Sequence, residues 1–447
     1  MPKTEVTYRS INRLAIPATI AGIAEPILSI TDTAIVGNIP VDGVEALAAV
    51  GIVGSFLSML IWILGQTRSA ISAIISQYLG AGKLEEVHTL PAQAIFFNVL
   101  LSILILLSTI FFVEEIFWLM NARGKILDFC ISYYSIRVWG FPLTLFVFAV
   151  MGIFRGLQNT VWPMAIAVTG AVLNIALDFI LVYGIDGYLE PLYLEGAAWA
   201  SLIAQGVMAV MALVLLLNKT KISLIPHRKL NKELRRLIGM SLNLFLRTVA
   251  LNITLILAVR EAAKIGEESI GAHTIAINLW LLAAFFIDGY GAAGNILGGK
   301  LLGEKSYDGL WKLAKRIVLY GEGVGLVLIA IGVIFYKPLG MIFTADPLVL
   351  SAFYSVFFIV ILGMPINSVA FTLDGLFKGL GEMKYLRNVL LLATFLIFIP
   401  LLLCTQYFGW GLHGVWIAIT AWMALRAGML VYKFRRKFRP LLQKSYL

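Results

Sequence analysis

The sequence predicts an all-α integral membrane protein with twelve transmembrane helices in two pseudo-symmetric six-helix bundles. Three observations support this fold class: an excess of apolar residues, twelve long apolar runs, and a repeat between the two halves. Of the 447 residues, 60% are hydrophobic and 13% are charged, and the mean hydropathy is +0.91. Soluble domains are nearer half apolar and a quarter charged. Because so few charges cannot cover a water-facing surface, we expect the chain to fold in a bilayer.

The apolar runs are long enough to be transmembrane helices. About 20 apolar residues cross a hydrocarbon core of roughly 30 Å as a helix, whereas a transmembrane strand needs only about 10. In chain order, the predicted spans are 13–37, 45–77, 91–113, 128–154, 161–184, 196–217, 237–263, 270–299, 317–336, 351–377, 388–407 and 413–432.

The first run is interpreted as helix 1 and not as a cleaved signal. It contains Pro17, Pro26 and Asp32, and it has neither the short apolar core nor the small-residue cleavage site of a signal peptide. The two cysteines, Cys130 and Cys404, fall in or near separate spans. They predict neither a disulfide framework nor a metal cluster, and no cofactor is expected.

The basic residues predict the orientation. Placing both termini in the cytoplasm puts most Lys and Arg in cytoplasmic segments, as the positive-inside rule requires. These segments are 3–13, 219–236, 300–316, 378–387 and 433–444. We therefore interpret the net charge of +10 as a topology signal at the lipid surface of a cell (plasma or inner) membrane, and not as a nucleic-acid site.

The two halves of the chain repeat each other. Residues 139–158 read WGFPLTLFVFAVMGIFRGLQ and residues 362–381 read LGMPINSVAFTLDGLFKGLG, and the two segments align without gaps. We call the alignment that places Gly140 on Gly363 the first register. Farther along, a slightly different alignment, the second register, places Gly196 on Gly414 and Ala200 on Ala418. Identical residues that the first register aligns include Arg13 with Arg236, Gly80 with Gly303 and Pro142 with Pro365.

The repeat predicts the arrangement of the bundles. Each half holds six spans, an even number, so the halves are parallel and related by an axis along the membrane normal. We expect an N-terminal lobe at 1–217, a basic cytoplasmic linker at 218–236 and a C-terminal lobe at 237–447. A cleft between two lobes favours a secondary transporter over a channel or a scaffold. Because one chain supplies both lobes, we expect it to act as a monomer.

Ionisable residues inside spans are functional candidates, because they are costly in a bilayer. Asp32 and Asp178 each lie about five residues before the outer end of a span, so their carboxyls share a depth, and Asn174 is one turn before Asp178. Such a pair retains one proton, because two adjacent carboxylates resist ionising together. Alternatively, Asp32, Asn174 and Asp178 bind a hard cation such as sodium. The plainer interpretation is that each aspartate only bonds a neighbouring helix.

Two further pairs are predicted to fix the packing of each lobe. Glu25 and Arg68 lie at similar depth in the first half, as do Arg247 and Asp288 in the second. The alternative is that these charges line an aqueous cleft. Asp374 replaces Met151 of the first repeat, so it either attracts a cationic substrate, carries a second proton, or lies at the wet end of its helix.

Several segments resemble one transporter family. They are ITDTAIVGNI, GIFRGLQNT, NIALDFILVYG and LDGLFKGLG. Together they are similar to the multidrug and toxic compound extrusion (MATE) family, and most similar to its DinF-type branch. The resemblance covers essentially the whole chain. One departure is Gly294-Asn295, where that branch would have Ala-Glu.

The resemblance implies multidrug efflux by antiport: export of bulky, often cationic, amphipathic compounds, driven by protons or sodium. It implies two six-helix lobes and a cation site in the N-terminal lobe at Asp32, Asn174 and Asp178, with Ser201 and Tyr133 beside it. Other branches of the family have a glutamate in the C-terminal lobe, and Glu261 is the candidate equivalent in this sequence.

Two other function classes remain as alternatives. A flippase for lipid-linked oligosaccharides would need a large cationic central cavity, whereas most of the positive charge of this sequence lies in loops. A membrane-embedded enzyme is disfavoured, because the sequence has no His/Glu metal motif and no Gly-x-Ser-x-Gly elbow.

Overall fold

The computed structural model describes residues 4–40, 42–185, 187–222, 224 and 229–444, and most of these residues are helical. One isolated antiparallel bridge joins Ile185 and Leu189. A 3₁₀ turn covers Leu84–Val87 and a π-helical turn covers Thr394–Phe398. The α-helices are α1 Tyr8–Gly37, α2 Gly43–Leu64, α3 Thr67–Gly80, α4 Leu90–Ile110, α5 Val113–Leu119, α6 Lys125–Arg137, α7 Gly140–Gly156, α8 Val161–Tyr183, α9 Tyr193–Lys219, α10 Lys232–Ile265, α11 Glu267–Gly303, α12 Tyr307–Ile334, α13 Tyr336–Met341, α14 Pro347–Leu362, α15 Met364–Gly379, α16 Met383–Ala393, α17 Ile399–Phe408 and α18 Gly411–Lys444.

The helices account for the twelve predicted spans. Ten continuous stretches of the described chain are long and apolar enough to cross a bilayer, and two bent pairs, α6–α7 and α14–α15, each supply one more. The predicted all-α fold is therefore confirmed. The helix ends differ from the prediction. For example, α12 begins at Tyr307 and not near residue 317. The prediction started the span at the first long apolar run, and the first turns of α12 carry the charged residues Lys312, Lys315 and Arg316.

The two bent pairs occur at equivalent places in the repeat. The helix axis bends by 47° between α6 and α7 and by 52° between α14 and α15. At each bend lies the glycine-proline segment that the first register aligns, Gly140–Pro142 and Gly363–Pro365. Proline is tolerated in the first turn of a helix, where its missing N–H would have no helical acceptor. The duplicated motif therefore encodes a duplicated helix break.

The described chain forms two compact units. The N unit contains residues 20–75 and 83–241, and the C unit contains residues 4–19, 76–82 and 242–444. The N-unit core includes Phe117 and Tyr134, whose ring centroids are 5.3 Å apart. The C-unit core includes Phe353, Trp416 and Trp422. Apolar side chains also cover the outside of the helices, as a hydrocarbon environment requires.

Two segments of the first half pack within the C unit. The start of α1 contributes Asn12, whose Oδ1 accepts a 2.9 Å hydrogen bond from the Tyr290 hydroxyl. The end of α3 contributes Gln77, whose Nε2 donates to the Gly379 carbonyl at 2.7 Å. The predicted linker 218–236 is partly outside the described residues, since 223 and 225–228 are not included.

Repeat-related glycines allow the ends of α3 and α11 to touch inside the C unit. A Cβ on Gly80 would lie 1.9 Å from the Lys300 carbonyl oxygen, and a Cβ on Gly303 would lie 2.0 Å from the Gln77 carbonyl oxygen. Both distances are below van der Waals contact, and both obstacles are backbone atoms. Only glycine therefore permits this approach at the two equivalent positions.

We expect Gly80→Ala and Gly303→Ala each to lower the thermal unfolding temperature of the detergent-purified protein, because the α3 and α11 backbones must separate. Gly323→Ala in α12 is the matched control, since a Cβ there meets nothing within 4 Å. This control should be neutral or stabilising by up to about 1 kcal/mol, the helix-propensity gain of alanine over glycine. Equal unfolding temperatures for all three variants would contradict the close-approach interpretation.

Candidate functional site

The N unit contains a cavity of about 480 Å³, here called the N-unit cavity. Residues of α1, α2, α3, α6, α7, α8 and α9 line it. Polar side chains on this wall include Asp32, Tyr133, Asn174 and Ser201. The four lie far apart in the sequence, and the helix packing of the N unit brings them together.

Asp32 of α1 and Asp178 of α8 form the acidic centre of the site. Asp32 is 8% exposed and Asp178 is 0% exposed, and the two carboxyl groups are within hydrogen-bonding reach of each other. Two carboxyl groups can share such a hydrogen bond only when one of them is protonated. The Oδ1 atom of each aspartate is buried and has no hydrogen-bond partner among the described atoms.

Asn174 connects this centre to α9. Its Nδ2 donates to Asp178 Oδ2 at 3.2 Å and lies 3.4 Å from Ser201 Oγ. Asn174 is one turn before Asp178 on the same face of α8, as the i to i+4 spacing predicts. The residues that the sequence grouped as one coupling site therefore lie together.

Tyr133 completes the predicted set, and Arg137 is a member that the sequence analysis missed. Both residues are on α6, one turn apart, and both line the N-unit cavity. The Arg137 guanidinium lies 5.9 Å from the Tyr133 ring centroid, and its charge interacts with both Asp32 and Asp178. The signal was available, because an arginine four residues after a site tyrosine lies on the same helix face.

The donor atoms suit one small cation, with a positive side chain close by. Two carboxyl groups and a hydroxyl offer oxygen atoms to a proton or to sodium. Among the described residues, no group of three or more His, Cys, Asp or Glu side chains is placed to hold a metal ion. The guanidinium of Arg137 carries a permanent positive charge, so it repels any further cation that binds beside it.

Of the predicted pair Glu25–Arg68, the Glu25 side chain lies outside the described part of the structure. Arg68 lines the N-unit cavity, with its guanidinium 5.0 Å from the centroid of the Phe148 ring.

The other predicted pair, Arg247–Asp288, is replaced by a different one. Arg247 Nη2 lies 2.6 Å from Asp374 Oδ1, and both side chains are at most 8% exposed. Asp288 is exposed and forms no ion pair within the described residues. Depth along a helix can be counted from sequence, but the face that a charge occupies is set by packing, and α15 brings Asp374 to Arg247.

The remaining C-unit candidates have separate environments. Asp374 also contacts Lys378 and is buried, so it does not lie at the wet end of its helix. Glu261 is 5% exposed and accepts hydrogen bonds from Gln406 and Lys264. Asp374 and Glu261 are therefore both neutralised or bonded by local side chains.

Comparison with known proteins identifies the family. The MatE family model matches residues 17–180 and 243–403, one stretch in each half. The Arabidopsis thaliana protein DETOXIFICATION 44, chloroplastic, is 28% identical over 93% of this chain and 80% of that protein. DNA damage-inducible protein F of Escherichia coli is 24% identical over 96% of this chain and 93% of that protein. Matches to DETOXIFICATION 43, 42 and 45 span 51 to 56% of those relatives.

A solved structure has the same fold. The structure described as MATE in the bent conformation superposes with a TM-score of 0.90 at 22% identity, covering 98% of this chain and 97% of that one. The family model covers most of the sequence and matches it twice, in agreement with the internal repeat. The chain is thus a multi-pass membrane protein of the MatE family of multidrug and detoxification transporters.

Proposed function

We propose that this transporter is an antiporter that exchanges protons for bulky amphipathic compounds, with Asp32 and Asp178 as the coupling site. It acts as a monomer in the cell membrane, with both termini in the cytoplasm. The observation that supports this most directly is the contact between two buried carboxyl groups on different helices. A proton shared between α1 and α8 holds the helices together, and its loss leaves two negative charges side by side.

Arg137 stabilises the deprotonated state of the carboxyl pair. When the carboxyl pair loses its proton, the nearby guanidinium is the available counter-charge. When the pair shares one proton it keeps a single negative charge, so the guanidinium faces one carboxylate charge instead of two and the wall of the N-unit cavity changes. Loading and unloading one proton therefore alters both the charge and the shape of the cavity. Helix α1 responds at Pro26, which has no N–H to donate to the Gly22 carbonyl and so weakens the helix there.

Two features favour protons over sodium. The carboxyl groups are already within hydrogen-bonding reach of each other, and Arg137 repels a second permanent cation at the same place. A proton removes negative charge without adding a cation that must be accommodated in the cavity. A ligand shifts the conformational equilibrium only by its differential affinity for the two states, and the carboxyl pair provides that difference for a proton.

The coupling ion is tested in proteoliposomes that export a fluorescent cationic dye. We expect a proton gradient alone to drive export and a sodium gradient at constant pH to give only the background rate. Export driven by sodium at constant pH, with no response to the proton gradient, would reject the proton assignment.

Asp32→Asn and Asp178→Asn should each reduce gradient-driven export by about tenfold or more, because an amide cannot release a proton. Asp128→Asn is the control, since Asp128 is an exposed acid on α6. Monodisperse gel-filtration profiles and retained dye binding show that each variant is folded. If Asp32→Asn exported dye at the normal rate, the coupling role would be refuted.

Arg137→Gln should move the pH dependence of export towards higher pH. Removing the positive charge disfavours the ionised carboxyl pair, so the pair releases its proton only at higher pH. Arg137→Lys keeps the charge and should have a profile close to that of the unsubstituted protein. The measurement is the export rate across the range from acidic to alkaline pH, and identical profiles for both variants would contradict the role of Arg137.

A further inference from the structure

A buried cluster in the C unit carries more positive than negative charge. Asp374 of α15 lies 2.6 Å from Arg247, 3.1 Å from Lys378 and 3.9 Å from Arg426, and the four side chains are between 2% and 13% exposed. We call these four residues the C-unit cluster. Arginine stays protonated in proteins, so the two guanidiniums alone exceed the single carboxylate.

The unpaired donors of the cluster are on the two arginines. Among the described atoms, Arg247 Nε and Arg426 Nη2 are buried without a hydrogen-bond partner. Arg426 Nη1 donates to the Met423 sulfur, which is a weak acceptor. A buried charge is stabilised when it is paired and fully hydrogen-bonded, and this cluster supplies one carboxylate for the task.

The internal repeat relates three members of the cluster to residues that line the N-unit cavity. The first register places Asp374 on Met151 and Arg247 on Ala24, and the second register places Arg426 on Met208. These three counterparts, Met151, Ala24 and Met208, all line the N-unit cavity. Three positions that line the N-unit cavity in the first half are therefore occupied by ionisable residues in the second half.

Aromatic rings lie beside one guanidinium of the cluster. The Arg426 guanidinium lies 4.6 Å from the Trp422 ring centroid and 6.0 Å from that of Phe371, and the centroids of Phe371 and Trp280 are 5.6 Å apart. Lys378 is the most exposed member of the cluster, at 13%. Cationic donors beside flat apolar surfaces suit a molecule that joins a carboxylate to a ring.

We propose that the C-unit cluster is an anion-binding site that takes the carboxylate of an aromatic amphipathic compound. The carboxylate bridges Arg247 and Arg426, and the ring packs against Phe371 and Trp422. The inference extends the proposed antiporter to anionic substrates, and it rests on that function only for the direction of transport. Binding itself is measured without a gradient.

The experiment is a calorimetric titration of the detergent-purified protein with three ligands that share one ring: benzoate, benzamide and benzylammonium. We expect saturable binding of benzoate and none of the other two at the same ionic strength. Preference for benzylammonium would overturn the proposal. Inorganic phosphate and vesicles of phosphatidylglycerol are added as competitors. If either displaced benzoate better than other aromatic carboxylates do, the carboxylate assignment would be wrong.

Two variants assign the binding to the cluster. Arg426→Leu should weaken benzoate binding by about tenfold or more, the loss expected for a charge-assisted hydrogen bond. Arg439→Leu, which removes an exposed arginine of the same helix α18, should bind as the unsubstituted protein does. Equal affinities of Arg426→Leu and Arg439→Leu would overturn the proposal.

The variant Asp374→Asn distinguishes loss of the binding site from a general folding defect. It removes the internal competitor for Arg247 and Lys378, so benzoate should bind severalfold more tightly, which an unfolded or loosened protein would not do. Weaker binding in this variant would overturn the site. Because none of these measurements uses a gradient or Asp32, failure of the anion site and failure of proton coupling are distinguishable.

Discussion

The contact between Asp32 and Asp178 is the interaction on which the proposed transport cycle depends. A bilayer offers no water to separate two neighbouring carboxylates, so their charges must be neutralised by a proton, by a cation or by a side chain. The helices that carry them are far apart in sequence. Asn174 donates a hydrogen bond to Asp178, and it also lies 3.4 Å from Ser201 of the neighbouring helix α9. In the proposed cycle, a change in the occupancy of this site therefore changes the packing of the helices.

The two halves of the chain share a backbone plan but differ in their buried charges. The glycine-proline segments at the start of α7 and α15 break both halves at the same point, and Gly80 and Gly303 permit the same kind of close approach. By contrast, Asp32 of the first half corresponds to Leu255 of the second, and Met151 corresponds to Asp374. The two halves therefore share backbone geometry at these points, while the N unit contains an acidic pair and the C unit a basic cluster. This divergence favours separate tasks for the lobes: a cation in the N unit and an anion in the C unit.

The alternatives are affected differently by this charge distribution. A flippase for a lipid-linked oligosaccharide is disfavoured by the sequence because positive charge lies mainly in loops. The structure places Arg247, Lys378 and Arg426 at one buried point, but an aspartate already partly compensates them, and the residual excess suits a single carboxylate and not a pyrophosphate. The MatE family membership and the acidic pair together support antiport as the main interpretation.

The sequence by itself determined the number of spans, the duplication and the residues of the acidic site, because these follow from hydropathy, from identity in a constant register and from depth along a helix. The family resemblance added Ser201 and Tyr133, and packing in the N unit brings both to the cavity. Only the tertiary structure decided that Arg247 pairs with Asp374 and that Arg137 lines the same cavity as Asp32. It also decided that residues 4–19 and 76–82 belong to the C unit. Helical rise fixes how deep a side chain lies, whereas the side of the helix that meets a neighbour depends on the packing of all the others.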